Sequence, residues 1–235
     1  MYRATRLLPQ NEETMLSYVD VLKRKGRYKR AAGHLIRWAE VHSKLECWID
    51  AALCFHKCNE SGNAIATLKK CIDRAFSSDA NIATTKYSGK KETTYLKKMV
   101  TIIVFIGMHA VNLLVDIQIS LRKFGAAVEV IDTYAKYLVE ENSNEAEPVL
   151  VLDIAVRKGV CLVHLKELNR AEQQFERLYL QNVSTYQDLF LDVAVAYMAE
   201  GSRLEVALTV LSTINDDVSI DAEMQTVSPL FFPDN

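Results

Sequence analysis

LDIAVRKGVCLVHLKELNRAEQQFERLYLQNVSTYQDLFLDVAVAYMAEGSRLEVALTVLSTI, residues 152–214, is the stretch whose reading decides the fold. It holds two successive helix-turn-helix units whose small and aromatic residues fall at matching offsets. In the first unit these are Gly159, Leu162, Ala171, Phe175 and Leu178; in the second, Ala194, Tyr197, Ala207, Leu211 and Ile214. Each unit opens with an acidic residue ahead of an apolar run, Asp153-Ile154 and Asp188-Leu189. A helical repeat of about 34 residues places one small residue near position 8 and another near position 20, where its two helices and the next repeat's first helix come closest. A bulky side chain at either point would hold the helices apart and leave a void.

Working outward, the whole chain has the composition of an all-α protein. It has 235 residues, 49% of them hydrophobic, which is ample for a continuous core and excludes disorder of the whole chain. Only 8 Gly and 4 Pro punctuate it, too few for the tight turns of an all-β protein. A net charge of -2 gives no whole-chain electrostatic footprint for nucleic acid, so any DNA-related role runs indirectly, through partners. Five cysteines and no signal-like leader point to a reducing compartment. Without secretion, the glycosylation patterns at Asn59-Glu60-Ser61 and Asn182-Val183-Ser184 are chance matches.

The offsets extend upstream as a single α-solenoid of tetratricopeptide-like repeats. Repeats 1–3 occupy residues 1–139. Gly26, Tyr28, Ala31, Leu35 and Trp38 mark the first, at about 12 to 45, and Trp48, Ala51, Ala52, Phe55, Ala64, Leu68 and Cys71 the second. Residues 77–94, rich in Ser, Thr, Lys, Asn and Gly and lacking an apolar stripe, read as a polar loop. An inserted long helix follows from Tyr95. Its run from Met99 to Val115 is apolar all round, and at about 17 uncharged residues it lies at the lower limit for crossing a bilayer. Because the run includes His109 and Asn112, a solenoid helix packed on both sides is the favoured reading, with no membrane. Val111, Leu114, Val115, Phe124, Ala127, Ile131 and Tyr134 mark the third repeat. Residues 140–148 form an acidic linker, 149–214 carry repeats 4–5, and 215–235 form an acidic tail.

Neither catalysis nor a cofactor is expected. The chain lacks a Gly-rich phosphate loop, H-E-x-x-H and G-x-S-x-G, and nothing in it points to a small-molecule substrate. Cys54, His56 and Cys58 could be drawn as a metal site, but helical geometry turns His56 away from the face shared by the two cysteines, so they read as core thiols. Six cations, Lys23, Arg24, Lys25, Arg27, Lys29 and Arg30, surround Gly26 in a basic turn. They could serve nuclear import or phosphate contact, or could simply be a solvated turn; either way they are expected to be exposed.

The concave face of such an array is lined by positions 2, 5 and 9 of each first helix. These are Glu13, Leu16 and Asp20; Glu46, Ile49 and Leu53; His109, Asn112 and Asp116; Asp153, Val156 and Val160; and Asp188, Leu191 and Val195. None is Lys or Arg. A groove of this kind does not clamp a peptide carboxylate with paired cations and instead suits basic and apolar side chains. The plain alternative for Asp153 and Asp188 is that a carboxylate in a helix's first turn is stabilised by the helix dipole.

Between the repeat positions the opening stretch carries Asp153-Ile154-Ala155-Val156, Val160-Cys161-Leu162-Val163-His164-Leu165, Gln181-Asn182, and Asp188-Leu189-Phe190-Leu191-Asp192-Val193-Ala194 with Gly201. This resembles the tetratricopeptide subunits of general transcription factor IIIC, the RNA polymerase III factor that recognises internal promoters of transfer-RNA genes. Two positions depart from the family pattern: Val183 stands where the family commonly has Pro, and the interval from Gly201 to Ala207 is one residue longer. The resemblance implies a nuclear, non-catalytic scaffold that links promoter-bound factor IIIC to initiation factor IIIB through protein contacts. An unrelated repeat adaptor of chaperone or trafficking complexes is the alternative.

Overall fold

A single backbone device closes one helix hairpin after another along this chain. In the computed structural model, which describes residues 11–84, 90–139, 148–201 and 203–220, the residues Gly26, Asn59, Arg122, Lys166 and Gly201 all have φ between 55° and 71°. Each sits just past a helix end. At the first four, its N–H donates to the carbonyl three residues back, and the next N–H reaches back five: Arg27 to Leu22, Glu60 to Phe55, Lys123 to Gln118 and Glu167 to Leu162. That double bond pattern is the left-handed helix stop. All five residues occupy position 15 of the repeats read from the sequence, so the array is visible in the backbone as well as in the side chains.

The described residues form ten helices and no strand, an all-α helical-repeat fold. They are α1 (Glu12–Arg24), α2 (Tyr28–His42), α3 (Leu45–Lys57), α4 (Ser61–Thr84), α5 (Lys90–Ser120), α6 (Phe124–Val139), α7 (Pro148–His164), α8 (Leu168–Tyr179), α9 (Gln187–Glu200) and α10 (Leu204–Ile220). By contacts the chain divides into two compact units. One holds Met1–Lys123 with Asp132–Tyr137; the other holds Phe124–Ile131 with Leu138–Asn235. The division falls within α6.

In the first unit, α1 starts at Asn11, whose side chain accepts a hydrogen bond from the Thr14 N–H at 2.9 Å. Met15, Val19 and Leu22 give α1 a buried stripe at helical spacing, and α2 answers with Ala31, Leu35, Trp38 and Ala39. Trp48 is buried in α3, with the Arg74 guanidinium 5.0 Å from its ring centre. The small residues Ala31, Ala52 and Ala64 have no exposed surface. Gly107 in α5 faces α4 so closely that an added Cβ would lie 2.9 Å from the Ala75 Cβ. Phe76 of α4 stacks at 4.0 Å on Tyr137.

The second unit is built on Gly159. An added Cβ there would lie 2.3 Å from the Phe175 ring, so the ring occupies the volume that any larger residue would need. Phe175, Leu178, Leu162, Ala171, Val193, Ala194 and Tyr197 form one buried cluster around this contact. Val183 packs against the same cluster, while Asn182 Oδ1 accepts from the Ser184 N–H at 2.9 Å in an Asx-type turn. The Val at this departure from the family pattern therefore adds apolar contact rather than disturbing the loop.

Three expectations are corrected. Residues 77–84 and 90–94 are helical rather than loop, and 85–89 lie outside the described residues. A composition rich in Ser, Thr and Lys does not by itself break a helix, and elongating an established helix is far easier than nucleating one. The inserted helix is not a separate element, since α5 runs unbroken for 31 residues and carries the third repeat's Val111, Leu114 and Val115 itself. Nor is α5 buried all round. It is the one described helix long and apolar enough to cross a membrane, and half of Thr101–Ser120 is buried against its neighbours while Ile102 is 54% exposed. Of the acidic tail, residues 215–220 belong to α10 and 221–235 lie outside the described residues, as do 140–147 of the linker.

Two stability predictions follow from these contacts. Gly159→Ala should lower unfolding free energy by about 1–3 kcal/mol through overpacking on Phe175. Gly33→Ala, in a helix with nothing within 4 Å of the added Cβ, should not; urea denaturation of both variants separates the two cases. Arg122→Gly, relieving a left-handed non-glycine residue, should raise stability by up to about 1 kcal/mol in the same assay.

Candidate interaction groove

Positions 2, 5 and 9 of the second and third repeats come together in the first unit. Glu46, Ile49 and Leu53 lie along one face of α3. Phe105, Ile106, His109, Asn112, Leu113 and Asp116 lie along one face of α5, and the two rows line an open recess of about 420 Å³. The spacing is helical on both walls, so every third or fourth residue returns to the groove. Leu53 and Phe105 are more than a third exposed, an unusual state for large apolar side chains placed side by side. Phe105 meets His109 edge to face at 4.5 Å, which fixes one wall.

All six sequence-derived residues of these two repeats line the recess, while Phe105, Ile106 and Leu113 were missed. They lie on the same face of α5, one turn earlier or between the marked positions. The repeat register alone undercounts the wall of so long a helix.

The two carboxylates differ in what the helices do for them. Glu46 lies in the first turn of α3, where the positive end of the dipole favours it whatever its role. Asp116 lies near the carboxyl end of α5, where the dipole offers no such benefit. Among the described residues that line the recess there is no Lys or Arg. Its chemistry is that of an acidic and apolar surface.

The other concave positions have mixed outcomes. Glu13, Leu16 and Asp20 are exposed on α1, and Asp20 pairs with Arg24 at 2.6 Å. Asp188, Leu191 and Val195 are exposed on α9, where Met198 extends the apolar row. Asp153 pairs with Arg157 at 3.0 Å along α7. Val156 overturns its placement at the groove: it has no exposed surface and belongs to the core cluster, with Val160 packed against it. α7 packs on both α8 and α9, so its buried arc is wider than one stripe and takes in position 5.

The basic turn is folded into two helix ends. Lys25, Arg27 and Arg30 are exposed, Arg24 pairs with Asp20, and Lys29 pairs with Glu60 at 2.6 Å. Lys23 lies 3.7 Å from Asp50 and is only a third exposed, less open than expected. Lys23, Arg24, Tyr28, Leu53, Cys54 and Lys57 border a second recess of about 300 Å³.

Cys47, Cys54, Cys71 and Cys161 are buried. Burial holds their thiols protonated, pushing Cys47 up to about 11 and Cys71 and Cys161 up to about 12. Among the described residues no group of three or more His, Cys, Asp or Glu is arranged to hold a metal ion. Because these thiols have raised values in the fold, the stability they contribute is full below the ordinary thiol range and is lost as pH climbs through it toward 12. Near pH 8, where a free thiol of pKa about 8.5 reacts readily, a disulfide reagent should modify half-buried Cys58 in the native protein. Cys71 and Cys161 should react only on unfolding, as peptide mass mapping with and without denaturant would report.

No protein-family profile matches the chain. It is 30% identical over 125 residues to human General transcription factor 3C polypeptide 3, a match that covers 46% of this chain and 14% of that protein. The chain thus aligns with a small fraction of that relative's length. The established relationship is a partial similarity to a subunit of a general transcription factor, on an all-α repeat fold.

Proposed function

We propose that this chain is a non-catalytic interaction scaffold of a factor IIIC-type assembly, working in the nucleus in RNA polymerase III transcription. In this reading the α3–α5 groove receives segments of protein partners that carry basic and apolar side chains, and the exposed row Leu191, Val195 and Met198 with Asp188 adds a second protein contact. DNA is reached only through those partners, among them subunits of factors IIIC and IIIB.

The observation that carries the proposal is the joint wall of Glu46, Ile49, Leu53, His109, Asn112 and Asp116, acidic and apolar and without a cation among the described lining residues. It supports binding of basic protein segments and disfavours the carboxylate clamp that a chaperone adaptor would need. The partial similarity to a factor 3C subunit supplies the assembly.

Affinity purification of the tagged full chain from nuclear extract tests the reading. Recovery of factor IIIC or IIIB subunits is the expected result; recovery of chaperones without them would overturn it. Reversing both groove charges, Glu46→Lys with Asp116→Lys, should cut recovery about tenfold or more through like-charge repulsion.

A further inference from the structure

Leu53 lines both the α3–α5 groove and the second recess. On one side of it α3 carries Glu46 and Ile49 along the groove; on the other, Lys57 joins Lys23, Arg24 and Tyr28 around a recess of about 300 Å³. An acidic and apolar surface therefore passes within one helix into a basic one. A single bound segment can meet both.

The recess gathers cations from two helices. Lys23 and Arg24 lie in the last turn of α1 and Lys57 in the last turn of α3, where each is favoured singly by the negative end of its own helix dipole. The dipole does not account for their lining one concavity with half-buried Tyr28, whose ring centre is 5.8 Å from the Lys57 ammonium. Two carboxylates compete at its edge: Asp20 pairs with Arg24 at 2.6 Å, and Asp50 lies 3.7 Å from Lys23. Both pairs are open to water and so of the weak surface kind. A guanidinium has five N–H donors and an ammonium three, and one carboxylate uses only part of either set. Among the described residues Lys57 has no carboxylate partner. The recess thus keeps donors for a further anion.

A phosphate monoester suits it better than a third carboxylate. With close to two charges and three acceptor oxygens, it can meet Lys57 and the remaining N–H groups of Arg24 and Lys23 together. A volume of about 300 Å³ lies at the lower end of ligand pockets and fits one side chain. A nucleic-acid strand would instead need a basic track under several phosphates, and past Leu53 the surface turns acidic at Glu46.

We propose that the basic recess receives a phosphorylated side chain of the same partner segment whose basic-apolar part lies in the α3–α5 groove, so that phosphorylation of the partner strengthens its capture. This rests on the reading of the groove as a site for such segments. It does not depend on which assembly supplies the partner. From Glu46 to Lys57 the helix advances about 16 Å, the span of about five extended residues. The favoured segment therefore carries Lys or Arg about five residues from its phosphorylated side chain, with apolar residues between them.

Affinity selection on the immobilised full chain tests the proposal, using oriented peptide libraries with a fixed phosphoserine, phosphothreonine or phosphotyrosine, or the unmodified residue. Fluorescence polarisation of the selected peptides then gives their affinities. At least one phosphorylated series should bind about tenfold or more tighter than its unmodified counterpart. Arg24→Gln with Lys57→Gln should remove that preference. Lys25→Gln with Arg27→Gln, on the same turn but outside the recess, should leave it unchanged. All four side chains are exposed, and circular dichroism checks that each variant keeps its fold. A phosphate preference that survives the first double variant, or is lost equally in both, would overturn the proposal. So would a short DNA duplex that binds more tightly than every phosphopeptide and loses that binding in the first double variant, which would make the ligand a nucleic acid. Basic-apolar peptides bound without regard to phosphate would sink the recess proposal and leave the groove reading standing. Phosphate preference without selection of basic or apolar neighbours would sink the groove reading, and the shared segment with it.

Discussion

The contact between Phe175 and Gly159 is the constraint on which the second unit depends. A phenylalanine ring occupies the space that a side chain on α7 would otherwise fill, so α7 and α8 are held at a separation only glycine permits. Everything that follows in that unit inherits this spacing. Ala171, Ala194 and Tyr197 are buried around the same ring, and Phe175 lies 6.0 Å from Tyr197 in an edge-on arrangement. The interaction is steric before it is attractive: dispersion accrues because the helices have been allowed near enough for it. Gly107 does the same for α5 on α4 in the first unit.

The left-handed turns couple that packing to the chain's course. A helix stopped by a 6→1 hydrogen bond reverses direction within a few residues, and the next helix begins at a fixed phase. Gly26 and Gly201 enter the conformation freely and Asn59 tolerates it, whereas Arg122 and Lys166 are held there against their intrinsic preference. That Arg122 and Lys166 accept it shows that hairpin packing outweighs a cost of about 1–2 kcal/mol at each. Turn geometry is here a consequence of the stacked helices as much as a cause.

The proposed binding rests on what this stacking leaves uncovered. First helices of successive repeats lie side by side, so their outward rows, Glu46, Ile49 and Leu53 on one and His109, Asn112 and Asp116 on the other, become the walls of one groove. A single helix presents only a stripe; two stripes at this spacing make a surface that can enclose a peptide's side chains. Among its described residues that lining carries carboxylates and no cation, which favours an occupant of basic and apolar character.

The sequence by itself determined the all-α repeat class, the hairpin order and most of the groove, because small residues at positions 8 and 20 and the rows at positions 2, 5 and 9 are local patterns fixed by helical geometry. Ala31, Ala52, Ala64, Ala171 and Ala194 were legible for that reason, as was Gly159. Only the tertiary structure decided what depends on neighbours. Val156 reads as a groove residue but is buried because α7 packs on both α8 and α9. Residues 77–84 and 90–94 read as loop but are helical, because helix elongation is cooperative and a polar composition alone does not stop it. Phe105 and Leu113 join the groove on the helical row of α5 that also carries His109, between the positions the repeat register marks, and Arg122 and Lys166 adopt at helix stops a conformation that their residue types do not announce.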